Sequence, residues 1–180
     1  LLDAFILKVR IFGFYFASMD VRQDSRKHAE AWEAILEKLK VKNKTLKNFD
    51  KLTEEEKIET LLSLNFKPSS MNFEDEFITE LLESIRTIGK IQEVNGVEGC
   101  HRYVISNCKS ALDVIRVYQL ANLILGKNEA LSLDIVPLFE SIEDLSNAAD
   151  VMASLYSVPA YREHLKRRGS KQTIMLGFSD

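Results

Sequence analysis

The 180-residue sequence has no long apolar run, no excess of basic residues and only two cysteines. Its most apolar stretch, 1–17, is interrupted by Lys8 and Arg10, whereas a membrane span needs about 18 uninterrupted apolar residues. A formal net charge of -3 does not indicate the positively charged surface that binding to nucleic acid requires. Cys100 and Cys108 are too few for a disulfide framework, which favours a reducing compartment and core positions for both thiols. These absences exclude membrane-spanning, nucleic-acid-binding and disulfide-rich classes.

Neither end of the sequence has the features of a chain terminus. No Met begins it, and its last residues, 173–180, have the apolar profile of a buried strand. The composition is 46% hydrophobic and 28% charged, which is typical of a folded cytosolic protein. We therefore expect residues 1–180 to form a single segment of a larger domain.

The first hundred residues are predicted to be mainly helical. Periodicity and capping signals predict helices over 1–12, 26–41, 53–64 and 73–91, the second of them capped by Ser25. An aromatic-rich strand is predicted over 14–21. The charged stretch of about 42–99 is too short to bury a sizeable core alone. It is interpreted as a helical excursion from the main domain.

The last third of the sequence alternates strands with helices. Strands are predicted over 103–106, 131–139 and 172–178, and helices over 110–125, 142–157 and 159–167. This alternation indicates a parallel sheet joined by right-handed crossovers, as in a βα barrel or a doubly wound sheet. With the strand near the start there are four strands, about half of an eight-stranded barrel. The expected fold class is α/β: a partial TIM-type βα barrel, predominantly helical, with an open sheet edge.

Charged residues follow the carboxyl ends of three predicted strands. Asp20, Arg22 and Gln23 end the first, Glu140 follows the third and Asp180 follows the last. Ligands bind at the carboxyl ends of parallel strands. Two carboxylates suit Mg²⁺, and the planar fork of arginine suits a carboxylate or phosphate. The alternative interpretation is that these are solvated loop residues and helix caps.

Six blocks of the sequence, in order, carry the motifs of a known family. They lie at 12–28, 52–57, 103–114, 136–148, 159–162 and 175–180. Their clearest parts are DVRQDS at 20–25, VPLFE at 136–140 and MLGFSD at 175–180. Together they resemble the phosphoenolpyruvate carboxylase family, whose patterns there are Asp-Ile/Val-Arg-Gln-Glu/Asp-Ser, Val-Pro-Leu-Phe-Glu and Met-Ile-Gly-Tyr-Ser-Asp. Departures include the pair Asn107 and Cys108, and Phe178 in place of Tyr.

The resemblance implies an enzyme that joins phosphoenolpyruvate and bicarbonate to give oxaloacetate and phosphate, by way of carboxyphosphate and the enolate of pyruvate. It implies that Glu140 and Asp180 bind Mg²⁺ or Mn²⁺. Arg22 is implied to contact phosphoenolpyruvate and act in catalysis, with Gln23 beside it in the substrate site. A cytoplasmic homotetramer that supplies oxaloacetate to the tricarboxylic acid cycle is expected. The family continues past this aspartate with further catalytic motifs, so the 180 residues alone are expected to be inactive.

Two alternative functions stay open at this point. One is another Mg²⁺-dependent βα-barrel enzyme that acts on phosphoenolpyruvate or a related keto acid. The other is a non-catalytic interaction module built on the helices of 53–91, which predicts an exposed apolar stripe there.

Two histidines are also assigned from their local sequence. His28 lies close to Arg22, which suggests a general acid, although a position on the helix surface is the simpler interpretation. His164 lies within a charged run and is expected to be solvated.

Overall fold

The computed structural model describes residues 1–13, 17–41, 44–126 and 131–177. Within these ranges the chain forms seven α-helices and four β-strands. In chain order they are α1 (Leu2–Phe12), β1 (Asp20–Asp24), α2 (Ser25–Lys40), α3 (Glu54–Ser63), α4 (Glu76–Asn95), β2 (Arg102–Ser106), α5 (Ala111–Leu125), β3 (Asp134–Phe139), α6 (Ile142–Ser157), α7 (Pro159–Arg167) and β4 (Met175–Leu176). Short 3-10 helices span Lys44–Lys51, Pro68–Ser70 and Val97–Gly99. The predicted α/β class with high helical content is confirmed.

The strands form one parallel sheet in the order β1-β2-β3-β4. The register places Arg22 opposite Val104 and Val104 opposite Val136. At the far edge, Phe139 lies opposite Leu176. Within the described ranges the sheet is open, with β1 and β4 at its two edges. The parallel sheet and its open edge therefore match the prediction, and a closed barrel is not seen in these ranges.

The two faces of the sheet have different surroundings. Tyr103 and Ile135 belong to the main hydrophobic core, which they share with α2, α4 and α5. Val104, Val136 and Leu138 form a separate small cluster. Because successive side chains of a strand point to opposite faces, this cluster marks a second face, turned away from the helix-covered one. Alternation assigns the side chains of positions 22 and 140 to this second face as well.

The segment between α2 and β2 packs on the main core. Its helices α3 and α4 contact α5, and Leu61, Leu81, Ile85 and Ile88 from them are buried. Gln119 of α5 donates a hydrogen bond to the carbonyl of Leu64 at 2.9 Å. The apolar stripe on which an interaction module would depend thus faces inward.

Several helix starts agree closely with the sequence signals. Capping boxes begin α3, α5 and α6, with Thr53, Ser110 and Ser141 as their caps. A cap contributes about 1 kcal/mol by satisfying backbone N–H groups at the helix start. The bounds of α6 and α7 are those predicted. None of the helices in the described ranges has the length and apolar character needed to cross a membrane.

The first strand and the cap of α2 differ from the prediction. The strand predicted over 14–21 lies at Asp20–Asp24, and residues 14–16 lie outside the described part of the chain. Pairing with β2 defines this strand, and an edge strand tolerates polar residues that a core strand would not. Asp24, rather than Ser25, caps α2, because its Oδ1 accepts a hydrogen bond from the N–H of Arg26 at 2.8 Å. At the other edge, β4 is only Met175–Leu176, shorter than predicted.

Candidate active site at the carboxyl ends of the strands

An ion pair joins β1 to the loop that follows β3. Nη2 of Arg22 lies 2.7 Å from Oε1 of Glu140, although the two residues are 118 positions apart in sequence. Since β2 lies between these strands, the long arginine side chain reaches across it. The side chains are 54% and 31% exposed, so the pair contributes little stability, about 0–1 kcal/mol. Exposure also leaves both groups accessible to ligands.

Four hydrogen bonds hold the end of β1 beside this pair. The side chain of Gln23 accepts a hydrogen bond from the backbone N–H of Asp24 at 2.9 Å. Asp24 binds the guanidinium of Arg26 through both carboxylate oxygens, and this charged hydrogen bond lowers the pKa of Asp24. Ser25 donates to the carbonyl of Asn107, just past β2, at 2.6 Å. The last of these ties β1 and β2 together at their carboxyl ends.

Gln23 and Arg22 take different positions despite being neighbours in sequence. Strand alternation turns their side chains to opposite faces, and Gln23 bonds to its own backbone neighbour rather than to Arg22 or Glu140. Gln23 thus lies near the candidate site without sharing its face.

Of the two carboxylates predicted to bind a divalent cation, Glu140 lies in the described part of the chain. Glu140 follows β3 directly and presents a partly exposed carboxylate, a hard oxygen ligand of the kind that Mg²⁺ prefers. Asp180, the second predicted ligand, lies outside the described residues. Within the described ranges, no three His, Cys, Asp or Glu side chains come together as a metal-binding group. The donor that is present fits Mg²⁺ in chemical type, since that ion takes one or two protein carboxylates.

The opposite end of the sheet holds a second set of charges. Asp20 begins β1, and its Oδ1 lies 3.1 Å from Nε of Arg102. Nε of Arg168 lies 2.6 Å from Oδ1 of Asp134, at the start of β3. The assignment of Asp20 to the carboxyl end of its strand is therefore wrong, because the strand begins at this residue. Arg22 lies in the middle of β1 rather than at its end, and only its side chain reaches Glu140 after β3. In βα architectures charges at the amino ends of strands serve stability rather than catalysis.

The family model described as phosphoenolpyruvate carboxylase matches residues 1–180. The chain belongs to the phosphoenolpyruvate carboxylase family. The phosphoenolpyruvate carboxylase of Gloeobacter violaceus is 35% identical over an alignment 187 residues long, which covers 99% of this chain and 20% of the relative. One from Prochlorococcus marinus is 36% identical over 190 residues, covering 99% and 19%. One from Synechococcus is 32% identical over 191 residues, covering 99% and 18%. The chain thus spans about one fifth of the length of these phosphoenolpyruvate carboxylases.

Both histidines of interest are buried, contrary to prediction. His28 is fully buried on α2, and its Nε2 lies 3.1 Å from the hydroxyl of Tyr103 on the helix-covered face. It therefore does not face the Arg22–Glu140 pair. His164 is buried against the rings of Tyr118 and Tyr161. Burial, together with the charge of nearby arginines, lowers the pKa of each histidine to about 4.

The helical spacing of both histidines indicates burial, whereas their charged sequence neighbours favour a solvated position. His28 lies four residues before the buried Trp32 on α2, and His164 lies three residues after the buried Tyr161 on α7. Residues three or four positions apart share one face of a helix. Both histidines thus continue the buried stripes of their helices.

The two cysteines lie in the interior, as predicted. Both are free thiols and fully buried, and burial raises the pKa of Cys108 to about 12. Cys108 also borders a small cavity of about 180 Å³ between the end of β2 and the start of α6. Lys109 and Asn147 line the same cavity. Neither residue has a predicted role in the site. Lys109 lies three residues past the end of β2, whereas Glu140 follows β3 directly.

We expect stability to fall when the pH is lowered from 7 to 5. The unfolded chain takes up protons on His28 and His164 near pH 6.5, whereas the folded chain does so only near pH 4. Each histidine can contribute at most about 1.4 kcal/mol per pH unit in this window. Urea denaturation at several pH values measures the slope. The slope should be shallower for His28→Gln, which keeps a polar partner for Tyr103, and an unchanged slope would contradict the assignment.

Proposed function

We propose that this chain provides part of the substrate and metal site of a phosphoenolpyruvate carboxylase. This lyase carboxylates phosphoenolpyruvate with bicarbonate and releases oxaloacetate and phosphate. The main support is the 2.7 Å contact between Arg22 and Glu140, which lie in two separate family motifs. It brings a group suited to the anionic substrate next to a group suited to a divalent cation.

The proposed architecture is part of a TIM-type βα barrel, in which residues 1–180 form one segment of a larger catalytic domain and 42–99 a helical excursion. The strand order β1-β2-β3-β4, all parallel, supports it. Strands follow one another in sequence around a barrel, whereas the order reverses in a doubly wound sheet. Glu140 follows the carboxyl end of β3 and the side chain of Arg22 reaches it there, which agrees with the usual location of barrel active sites.

Arg22 is proposed to bind the carboxylate or phosphate of phosphoenolpyruvate and to act in catalysis. Its guanidinium can make two parallel charged hydrogen bonds to such a group. Half of its side chain is exposed, and its present partner is a single carboxylate oxygen. Gln23 is proposed to support the substrate site from the opposite face by holding the backbone N–H of Asp24.

Glu140 and Asp180 are proposed to hold Mg²⁺ or Mn²⁺. When bound, the cation supplies positive charge that stabilises the negative oxygen developing on the substrate. Glu140 presents its carboxylate from the residue that follows β3, directly before the capped start of α6. The carboxylate is therefore anchored between two regular elements, which limits its movement when a ligand arrives.

The proposed setting is the cytoplasm, with a homotetramer as the assembly of the full-length enzyme, which refills the tricarboxylic acid cycle. Two buried free thiols are compatible with a reducing compartment.

We expect Mn²⁺ to bind the 180-residue chain in a manner that depends on Glu140. Titration followed by the electron paramagnetic resonance of free Mn²⁺ should show affinity weakened at least about tenfold in Glu140→Ala, the loss that even an outer-shell partner causes. Glu143→Ala is the matched control, because it removes an exposed carboxylate three residues away. Equal affinities for the wild type and Glu140→Ala would rule out Glu140 as a ligand in this chain.

We expect phosphoenolpyruvate to bind through Arg22. In the presence of Mn²⁺, ³¹P NMR titration of the chain should show roughly tenfold weaker binding in Arg22→Gln, since a hydrogen bond to a charged group contributes about 1.5 kcal/mol or more. Arg26→Gln is the control, because Arg26 is exposed and pairs with Asp24 instead. Similar losses in both variants would indicate unspecific attraction and contradict the assignment.

We expect the 180-residue chain to form no oxaloacetate on its own. It spans about one fifth of its relatives, and the carboxylation needs a site closed to water. The measurement is a coupled assay with malate dehydrogenase and NADH, with phosphoenolpyruvate, bicarbonate and Mg²⁺ supplied. A full-length family member is the positive control, and turnover by the pure chain would refute the expectation.

A further inference from the structure

We infer that Gly177 is a positioning residue for Glu140, because only a hydrogen atom at position 177 leaves room for the glutamate side chain to meet Arg22. The inference rests on the proposed function, since positioning matters for the reaction only if Glu140 takes part in it. Gly177 belongs to the MLGFSD motif, but no side-chain chemistry can account for it.

The register of the last two strands brings Gly177 beside Glu140. Phe139 lies opposite Leu176, so the next residues of the two strands are neighbours on the same face. The backbone N–H of Gly177 donates a hydrogen bond to the carbonyl of Phe139 at 2.9 Å. The ladder between β3 and β4 thus continues to the residue that adjoins the candidate site.

The approach of the two residues is unusually close. A Cβ atom added at Gly177 would lie 2.9 Å from Cγ, 3.2 Å from Cα and 3.3 Å from Cβ of Glu140. Neighbouring strands normally lie about 4.7–4.9 Å apart, so side chains that start side by side are not usually in such contact. The added methyl group would overlap the first carbons of the glutamate side chain, not its mobile end.

Relief of this overlap would require rotation of Glu140 about its Cα–Cβ bond or a shift of the backbone. Either movement carries the carboxylate with it. Staggered side-chain wells are about 120° apart, so a rotamer change moves the carboxylate away from its 2.7 Å contact with Arg22. The absence of a side chain at position 177 therefore permits the direction in which Glu140 points.

Close approach, rather than backbone conformation, requires glycine at this position. The φ angle of Gly177 is not among the positive glycine values of the described residues. Gly169 provides the contrast, since its φ is +76° and nothing in the described part of the chain lies within 4 Å of an added Cβ. Alanine at 169 strains the backbone without touching a side chain, whereas alanine at 177 acts on Glu140.

The test measures how readily the guanidinium of Arg22 reacts with a reagent in the 180-residue chain, because its ion pair with Glu140 slows that reaction. Phenylglyoxal modifies arginines, and mass spectrometry of the peptides gives the labelling rate of each one. Gly177→Ala should raise the rate at Arg22 about two- to fivefold, the range set by the contribution of an exposed ion pair. The rate at Arg26, whose partner is Asp24, should stay constant. Gly169→Ala should leave both rates unchanged while lowering the thermal midpoint.

The double variant separates a positional effect from a general loss of structure. Arg22 in Gly177→Ala/Glu140→Ala should be labelled no faster than in Glu140→Ala alone, because the carboxylate through which Gly177 acts is gone. If Gly177→Ala alone fails to fold, the double variant should recover the folded circular dichroism spectrum, since the 2.9 Å overlap has been removed. An unchanged rate at Arg22, or no recovery, would overturn the inference.

Metal binding distinguishes this inference from the proposed function. Gly177→Ala should weaken Mn²⁺ binding in the same direction as Glu140→Ala. If wild-type Mn²⁺ affinity does not depend on Glu140, the proposed metal role fails, while the Arg22 labelling still tests the position of Glu140. If Mn²⁺ binding depends on Glu140 but is unaffected by Gly177→Ala, the inference about Gly177 fails and the proposed function stands.

Discussion

In-register pairing of parallel strands is the constraint on which the candidate site depends. It aligns β1, β2 and β3 so that their amino ends meet at one edge and their carboxyl ends at the other. Alternation then assigns Arg22 and Glu140 to the same face, and the length of arginine closes the distance across β2. A slip of one residue in β1 would turn Arg22 toward the helices and bring Gln23 to the second face.

Charge is divided between the two ends of the sheet in a way that agrees with this architecture. At the amino ends, Asp20 pairs with Arg102 and Asp134 with Arg168, so each charge has a fixed partner. On the other side, the contact between Arg22 and Glu140 runs from β1 across β2 to the residue after β3, and Arg22 is the most exposed member of these three pairs. The apolar cluster of Val104, Val136 and Leu138 belongs to the same face. One end is therefore committed to structure, while the other keeps groups that a ligand can recruit.

Helices were predictable from sequence where local chemistry alone decides them. Ser141 and Asp144 form a capping box that starts α6, and Pro159 begins α7. The first strand is predicted too early in the sequence, because the limits of β1 are set by its pairing with β2, about 80 residues away. Local composition contains no information about that pairing. Asp20 was assigned to the wrong end of its strand for the same reason. The buried states of His28 and His164 depend on tertiary packing, and their charged neighbours favoured a solvated interpretation.

The proximity of Arg22 and Glu140 followed from a rule about topology rather than from any local pattern. Once the strands are parallel, residues that end them must gather at one edge. Arg22 lies in the middle of β1, and the length of its side chain brings its guanidinium to Glu140 at that edge. The close approach of Gly177 to Glu140 had no equivalent signal, because a glycine after a strand is also compatible with an ordinary turn. Interatomic distances were needed to distinguish these two explanations.

The Arg22–Glu140 contact has a thermodynamic consequence if the two residues serve as proposed. Substrate and cation would each have to separate the same two side chains before binding. The first to arrive would bear the cost of separation, and the second would find its residue already released. Linkage makes this benefit equal in both directions, and for an exposed pair it amounts to a factor of up to about five in affinity. A single contact between two surface side chains would thereby give the two ligands a modest positive cooperativity.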